Sequence, residues 1–169
     1  MSIEDELLAL ARERETVTDS ALLGMGLEPP SRLLRQLRAD LSRQVDKGRI
    51  GRMIEKIPRL ETVEGGLNEL TCPRLTFSSG TKLDFKIQLE EHQAGWLVKR
   101  FQFHVHLPLE RRIKMVRIHL NVDASHDPLM TPRCHFHVDN SQAHVPFPII
   151  NPRLILHLIC EHIDPDFGT

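Results

Sequence analysis

The sequence contains few cysteines, and their spacing does not suit a disulfide framework or a cysteine-based zinc site. Cys72, Cys134 and Cys160 are the only three in 169 residues. Their number is odd, and no two are separated by two residues. Both kinds of site rely on paired cysteines at short spacings. We therefore predict three buried thiols.

Long hydrophobic runs are also absent. The first fifteen residues, MSIEDELLALARERE, are acidic and amphipathic. A signal peptide needs a continuous apolar core, and a membrane helix needs about 20 apolar residues. We predict a cytoplasmic protein that has no membrane partner.

No single sign of charge dominates, because 22 basic and 23 acidic residues give a net charge of −1. The charges are nevertheless unevenly placed. Residues 29–60 hold nine basic against three acidic side chains, residues 93–121 hold six against one, and residues 122–169 hold two against six. Blocks of one sign bear on binding partners. The two basic blocks are compatible with RNA or DNA as a partner.

Residues 1–60 are predicted to form a helical N-terminal region. Capping and apolar spacing indicate a helix over residues 3–15, a short turn near 21–23 and a longer helix that Pro29-Pro30-Ser31 opens and that ends near Gly48. A short helix, a glycine turn and a basic helix also occur in this order in helix-turn-helix proteins. Nucleic-acid contacts are therefore predicted for the arginines of the long helix, which are Arg32, Arg35, Arg38 and Arg43.

The segment from Met53 to Pro73 has no clear period and is predicted to be a linker. From Leu75 onward, apolar residues recur at every second position, as in half-buried strands. The predicted strands are Lys82–Glu90, Trp96–Leu107, Val116–Val122 and Arg133–Asp139. Asn151 and Pro152 then start an apolar helix. Residues 61–169 are thus predicted to be an antiparallel β-meander with a C-terminal helix. The predicted fold is α+β: a four-stranded antiparallel meander with helices packed on one face, preceded by the helical region.

The strand assignment places an unusual number of histidines on one polar face. These residues are His104, His106, His119, His135 and His137, and the same face carries Arg100, Arg117 and Arg133. Residues paired across neighbouring strands stand about 5 Å apart. Such side chains could share a metal, a phosphate or a proton.

Three kinds of chemistry could use this face. The five histidines could hold a divalent metal, which needs three or four converging ligands. A metal-free ribonuclease would use His135 and His137 as base and acid, and Arg133 or Arg117 to hold the phosphate. A binding surface would use arginines such as Arg100 and Arg117 to contact nucleic acid without catalysis.

The last ninety residues resemble the TumE-type toxin family of bacterial toxin–antitoxin systems. The resemblance lies in strand Val116–Val122, in the two histidines that follow Pro132, and in the path through Pro146-Phe147-Pro148 to the last helix. It implies an RNA-acting enzyme with a cognate antitoxin as protein partner. His135 and His137 are the two positions that match.

The element order also suits a second class of protein. A helix, a four-stranded meander and a C-terminal helix are the layout of ubiquitin-conjugating-like domains. A thioester enzyme of that class needs an exposed cysteine, whereas Cys134 and Cys160 are predicted to lie in the core. The alternative left open is a non-catalytic interaction domain of that shape.

Overall fold

The computed structural model describes residues 29–51, 58–93, 95–121, 132–148 and 150–163. Within these residues there are two helices, α1 (Pro30–Asp46) and α2 (Pro152–Leu158). The strands are β1 (Arg59–Thr62), β2 (Asn68–Thr76), β3 (Lys82–His92), β4 (Gly95–His106), β5 (Met115–Asn121), β6 (Cys134–Val138) and β7 (Val145–Pro146). A 3₁₀ turn covers Glu64–Gly66, and a π-helical turn, Ile159–Ile163, continues α2. The helices predicted before residue 29 lie outside the described residues.

The strands form one sheet in the order β1 to β7, and each pairs antiparallel with the next. The prediction of a four-stranded meander is therefore wrong. The four predicted strands correspond to β3, β4, β5 and β6, and three further strands extend the sheet at its two ends. The helical N-terminal region predicted to extend to residue 60 is also wrong, because β1 begins at Arg59. The chain remains α+β.

Two of the missed strands lie in or next to the segment predicted to be a linker. Pro73 is unfavourable within a strand, since proline cannot donate a ladder hydrogen bond. The structure accommodates it at a register shift between Cys72 and Leu75. Leu70 and Cys72 are buried before the shift and Leu75 after it. Because the register shifts at Pro73, its missing N–H does not interrupt the ladder of hydrogen bonds on either side.

One hydrophobic core lies between the apolar face of the sheet and the two helices. Alternate residues of β3 from Leu83 to Leu89 are buried. In β4, Phe101, Phe103 and Val105 are buried in the same way, and Val98 is buried beyond a register shift. Phe85 stacks on Phe103 with ring centroids 5.1 Å apart. The helices supply Leu33, Leu37, Leu41, Ile155, Leu156 and Ile159 to the same core. The polar face of the sheet therefore points away from the helices.

The ends of α2 follow from its sequence. Asn151 caps the helix, because its side-chain oxygen accepts a hydrogen bond from the Arg153 backbone N–H at 2.9 Å. Pro152 occupies the first turn, where a missing N–H costs nothing. Ion pairs join α2 and its π-helical turn to α1, with Arg153 Nε 2.7 Å from Asp40 Oδ2. No helix within the described ranges is long and apolar enough to cross a membrane.

Candidate metal centre

Strand pairing collects histidines from three strands on the polar face of the sheet. In β5, His119 pairs with His135 of β6. One pair further along, Arg117 lies between His104 of β4 and His137 of β6. Paired residues share a face and stand about 5 Å apart. The ring centroids of His104 and His119 are 5.3 Å apart, and those of His119 and His135 are 5.7 Å apart.

Three of these residues, His119, His135 and His137, form what we call the histidine triad. One ligand nitrogen from each lies within 4.8 Å of the other two. The ring centroids of His135 and His137 are 4.9 Å apart, and those of His119 and His137 are 5.4 Å apart. His137 is buried, with 7% of its surface exposed, although it was predicted to lie on an open face.

A fourth histidine, His144, lies against the triad and was not among the predicted site residues. Its ring centroid is 4.6 Å from that of His135 and 4.5 Å from that of His137. Pairing of β7 with β6 puts Pro146 opposite His135 and brings the preceding loop over the triad. No local pattern in the sequence predicts this two-residue strand, so His144 could be found only from the structure.

Hydrogen bonds decide which ring nitrogens carry protons. His135 Nδ1 is 2.5 Å from the Pro132 carbonyl oxygen. A carbonyl can only accept, so Nδ1 donates and Nε2 keeps its lone pair. His104 Nδ1 lies 3.3 Å from Asp84 Oδ1, and its Nε2 is 3.1 Å from His119 Nε2. A neutral His104 that donates from Nδ1 to Asp84 has its lone pair on Nε2, and this nitrogen can then only accept. His119 therefore donates to it from Nε2 and keeps its own lone pair on Nδ1.

All three triad residues have a lowered pKa, which favours the neutral imidazole. The pKa of His119 falls to about 3 and those of His135 and His137 are also lowered. Burial is the main cause in each case, because a buried ring loses the hydration that stabilises its charged form. Neighbouring histidines act in the same direction, as does Arg117 on His119 and His137. Backbone hydrogen bonds at His135 and His137 oppose the shift without reversing it.

Arg117 lies beside the triad. Its Nη2 donates to the Asp139 carbonyl oxygen at 2.9 Å. In the part of the chain that the structure describes, two buried side-chain nitrogens have no hydrogen-bond partner, Arg117 Nε and His137 Nδ1. They belong to residues that pair directly across β5 and β6. Buried polar atoms without a hydrogen-bond partner are costly, and binding of an ion is one of the roles that accounts for them.

The remaining residues predicted on this face lie outside the triad. His106 Nε2 is 3.6 Å from Asp84 Oδ2, one step further along β4. Arg100 pairs with Asn121, on the far side of His119 from Arg117. Arg133 is half-buried just before β6. Asp84, whose pKa is lowered chiefly by its hydrogen bond with His104, was not predicted as part of the site.

The arginines of α1 lie on the other side of the sheet from the triad, since α1 packs on the apolar face. Arg32 and Arg35 are exposed, and Arg43 pairs with Asp40. Arg38 is half-buried and donates from Nε and Nη2 to the Pro58 carbonyl oxygen at 3.2 and 2.9 Å. The structure therefore does not bring these arginines together with the histidines. Nucleic-acid binding by them stays a prediction.

A groove of about 870 Å³ separates α1 from α2 on the same side as those arginines. Its acidic side chains are already paired with basic ones: Asp40 with Arg153, and Glu161 with Lys47 at 2.7 Å. These contacts join the two helices. The triad is therefore the stronger candidate site.

The three cysteines are free and buried, as predicted. Burial raises the pKa of Cys72, and no cysteine is exposed as a thioester enzyme requires.

Comparisons with protein-family models, with curated proteins and with solved structures found no match. The resemblance to TumE-type toxins therefore stays a prediction.

Proposed function

We propose that this protein binds a divalent transition-metal ion through the histidine triad. The observation that carries the proposal is the convergence of three neutral imidazoles, with one nitrogen of each within 4.8 Å of the others. A tetrahedral ion at about 2.0–2.1 Å from each nitrogen would need them about 3.3–3.4 Å apart. Modest rotation of the three histidine side chains would bring the nitrogens to this separation.

The donor set indicates the class of metal. Imidazole suits zinc, copper, iron and nickel, whereas calcium and magnesium prefer oxygen ligands. The Pro132 carbonyl holds His135 and the Asp84–His104 pair holds His119, as outer hydrogen bonds do around histidine ligands. A metal on Nδ1 of His137 would also satisfy a buried nitrogen that otherwise has no partner.

Three protein ligands leave a coordination position open for water or substrate, which is the arrangement of catalytic rather than structural zinc sites. We infer that the centre binds an exchangeable ligand. The triad supplies no thiolate and no carboxylate, so the metal would keep its full positive charge and polarise what binds there.

The pKa values favour this proposal over a metal-free ribonuclease. Such an enzyme needs one protonated histidine as the general acid. The pKa of His135 and that of His137 are both lowered, which favours the neutral ring over the protonated ring that a general acid needs. Metal binding needs the neutral ring, which is the form that burial favours here.

The proposal is tested by metal titration of the purified protein after treatment with a chelator. Zn²⁺ affinity and the absorption spectrum with Co²⁺ would be measured for the wild type and for H135Q and H137Q. Each variant should lose more than about 100-fold in affinity, because removing even an outer partner of a ligand costs 10–100-fold. Matched controls are H106Q, on the same face, and H157Q, on α2.

Wild-type protein that binds no Zn²⁺ or Co²⁺ at a single site would refute the proposed function. Equal losses in H106Q and H135Q would show that binding does not depend on the triad. Urea unfolding of each variant separates loss of ligands from loss of the fold.

A further inference from the structure

Arg117 is a half-buried cation that has no carboxylate partner among the described residues. Its hydrogen bond to a described residue goes to a neutral carbonyl, that of Asp139. Its Nε is buried without a partner. A guanidinium in this setting loses hydration without gaining an opposite charge.

The carboxylates that border the cluster are already engaged. Asp84 faces His104 and His106 on the β3 side. Asp139 Oδ1 accepts hydrogen bonds from the backbone N–H groups of Lys114 and Met115 at 2.7 and 2.9 Å. Neither carboxylate neutralises Arg117.

A metal ion bound by the triad would increase the excess of positive charge around Arg117. Three neutral imidazoles contribute no negative charge, so a divalent ion would keep its charge of two beside the guanidinium. Charges gathered in a partly dry site attract an anion strongly. Arginine is well suited to such a ligand, because its planar fork matches the oxygens of carboxylate and phosphate groups.

We propose that an oxyanion, the chemistry shared by phosphate and carboxylate groups, binds at the open position of the triad metal and is held by Arg117. This inference rests on the proposed function and names the class of ligand for the same centre. Binding would supply the acceptor that the guanidinium lacks. It would also lower the net charge of the metal-loaded site.

The experiment uses Co²⁺-loaded protein titrated with inorganic phosphate and, separately, with acetate, followed by the absorption spectrum. The tighter of the two anions identifies the chemical source of the ligand. R117Q should bind that anion at least about tenfold more weakly, since it loses a charge-assisted hydrogen bond. R100Q is the matched control, because Arg100 lies on the same face and in the neighbouring strand. R100Q should bind the anion as the wild type does.

Metal content, measured on every sample, keeps the two proposals separate. Full Co²⁺ occupancy with unchanged anion affinity in R117Q overturns the anion inference and leaves the metal site standing. Equal weakening in R117Q and R100Q also overturns it. Absence of Co²⁺ from the wild type overturns both proposals.

A second measurement covers the case in which R117Q does not fold. Phosphate and acetate affinities of the wild type are then compared with and without metal by calorimetry. The better anion should bind at least about tenfold more tightly to the metal-loaded form. Equal affinity in the two forms would overturn the inference.

Discussion

At the scale of single residues, Asp139 shows how one backbone conformation shapes the site. It follows β6 with a positive φ of 52°, a region that asparagine and aspartate tolerate better than most residues. Its side chain accepts hydrogen bonds from the backbone of Lys114 and Met115, and its carbonyl holds Arg117. The turn therefore fixes the start of β5 and the position of the Arg117 guanidinium together.

Replacing Asp139 with alanine should lower the free energy of unfolding by about 1–3 kcal/mol, because two backbone donors lose their acceptor. Asp139→Asn is the matched control, since it keeps a side-chain oxygen and tolerates the same φ. It should remain within about 1 kcal/mol of the wild type. Urea denaturation measures both. A D139A variant as stable as D139N would show that the side-chain hydrogen bonds contribute little.

At the scale of elements, the connection between α1 and β1 depends on a side chain that was predicted to bind nucleic acid. Arg38 of α1 donates twice to the carbonyl of Pro58, the residue before β1. The contact joins the helix to the first strand of the sheet. Its guanidinium is therefore engaged within the fold.

Arg38→Gln should destabilise the protein by about 0.5–1.5 kcal/mol, the usual net contribution of a protein hydrogen bond. Arg35 lies one turn away on α1 and is exposed. Arg35→Gln should therefore change stability by less than about 0.5 kcal/mol. Thermal or urea unfolding of the two variants under one set of conditions gives the comparison. Equal stability of R38Q and R35Q would contradict an anchoring role for Arg38.

At the scale of the whole molecule, the sheet separates the hydrophobic core from the histidine cluster. This arrangement buries titratable rings without placing them in the core. The folded chain holds His119 with a pKa of about 3, whereas its ordinary value is 6.5. Between these values the unfolded chain binds a proton that the folded chain does not bind. The free energy of unfolding therefore rises with pH across this window.

Metal-free protein should consequently lose stability as the pH falls below about 6.5, and His119→Gln should make the loss shallower. Stability measured between pH 7 and pH 5 reports the contribution of the histidines separately from that of the carboxylates. Glu161, whose pKa is lowered to about 2 by Lys47, Gln44 and Arg49, loses its contribution only at more acid pH. Urea midpoints across this range provide the test.

His157→Gln is the control for this pH dependence, because His157 is exposed on α2. Its slope of stability against pH should match that of the wild type. A slope unaffected by His119→Gln would mean that other groups cause the acid sensitivity.

The sequence by itself determined the strands in which apolar and polar residues alternate most regularly, and which face of each strand is apolar. In β3, and in β4 from Phe101 to His106, alternate side chains are apolar and polar, and successive residues of a strand must point to opposite sides. The division into a core face and a histidine face follows from that geometry alone. The cap at Asn151 and the burial of the cysteines are also local or compositional properties, and the structure confirms them.

The tertiary structure decided how many strands there are and which histidines meet. Pro73 in β2 and Pro146 in β7 oppose strand formation locally. Pro73 is accommodated at a register shift between Cys72 and Leu75, and Pro146 pairs with His135 of β6. Register is likewise a property of pairing, since shifting a strand changes every neighbour across it. It places His119 with His135 and His137, keeps His106 outside the triad, and brings His144 over it from the loop before β7.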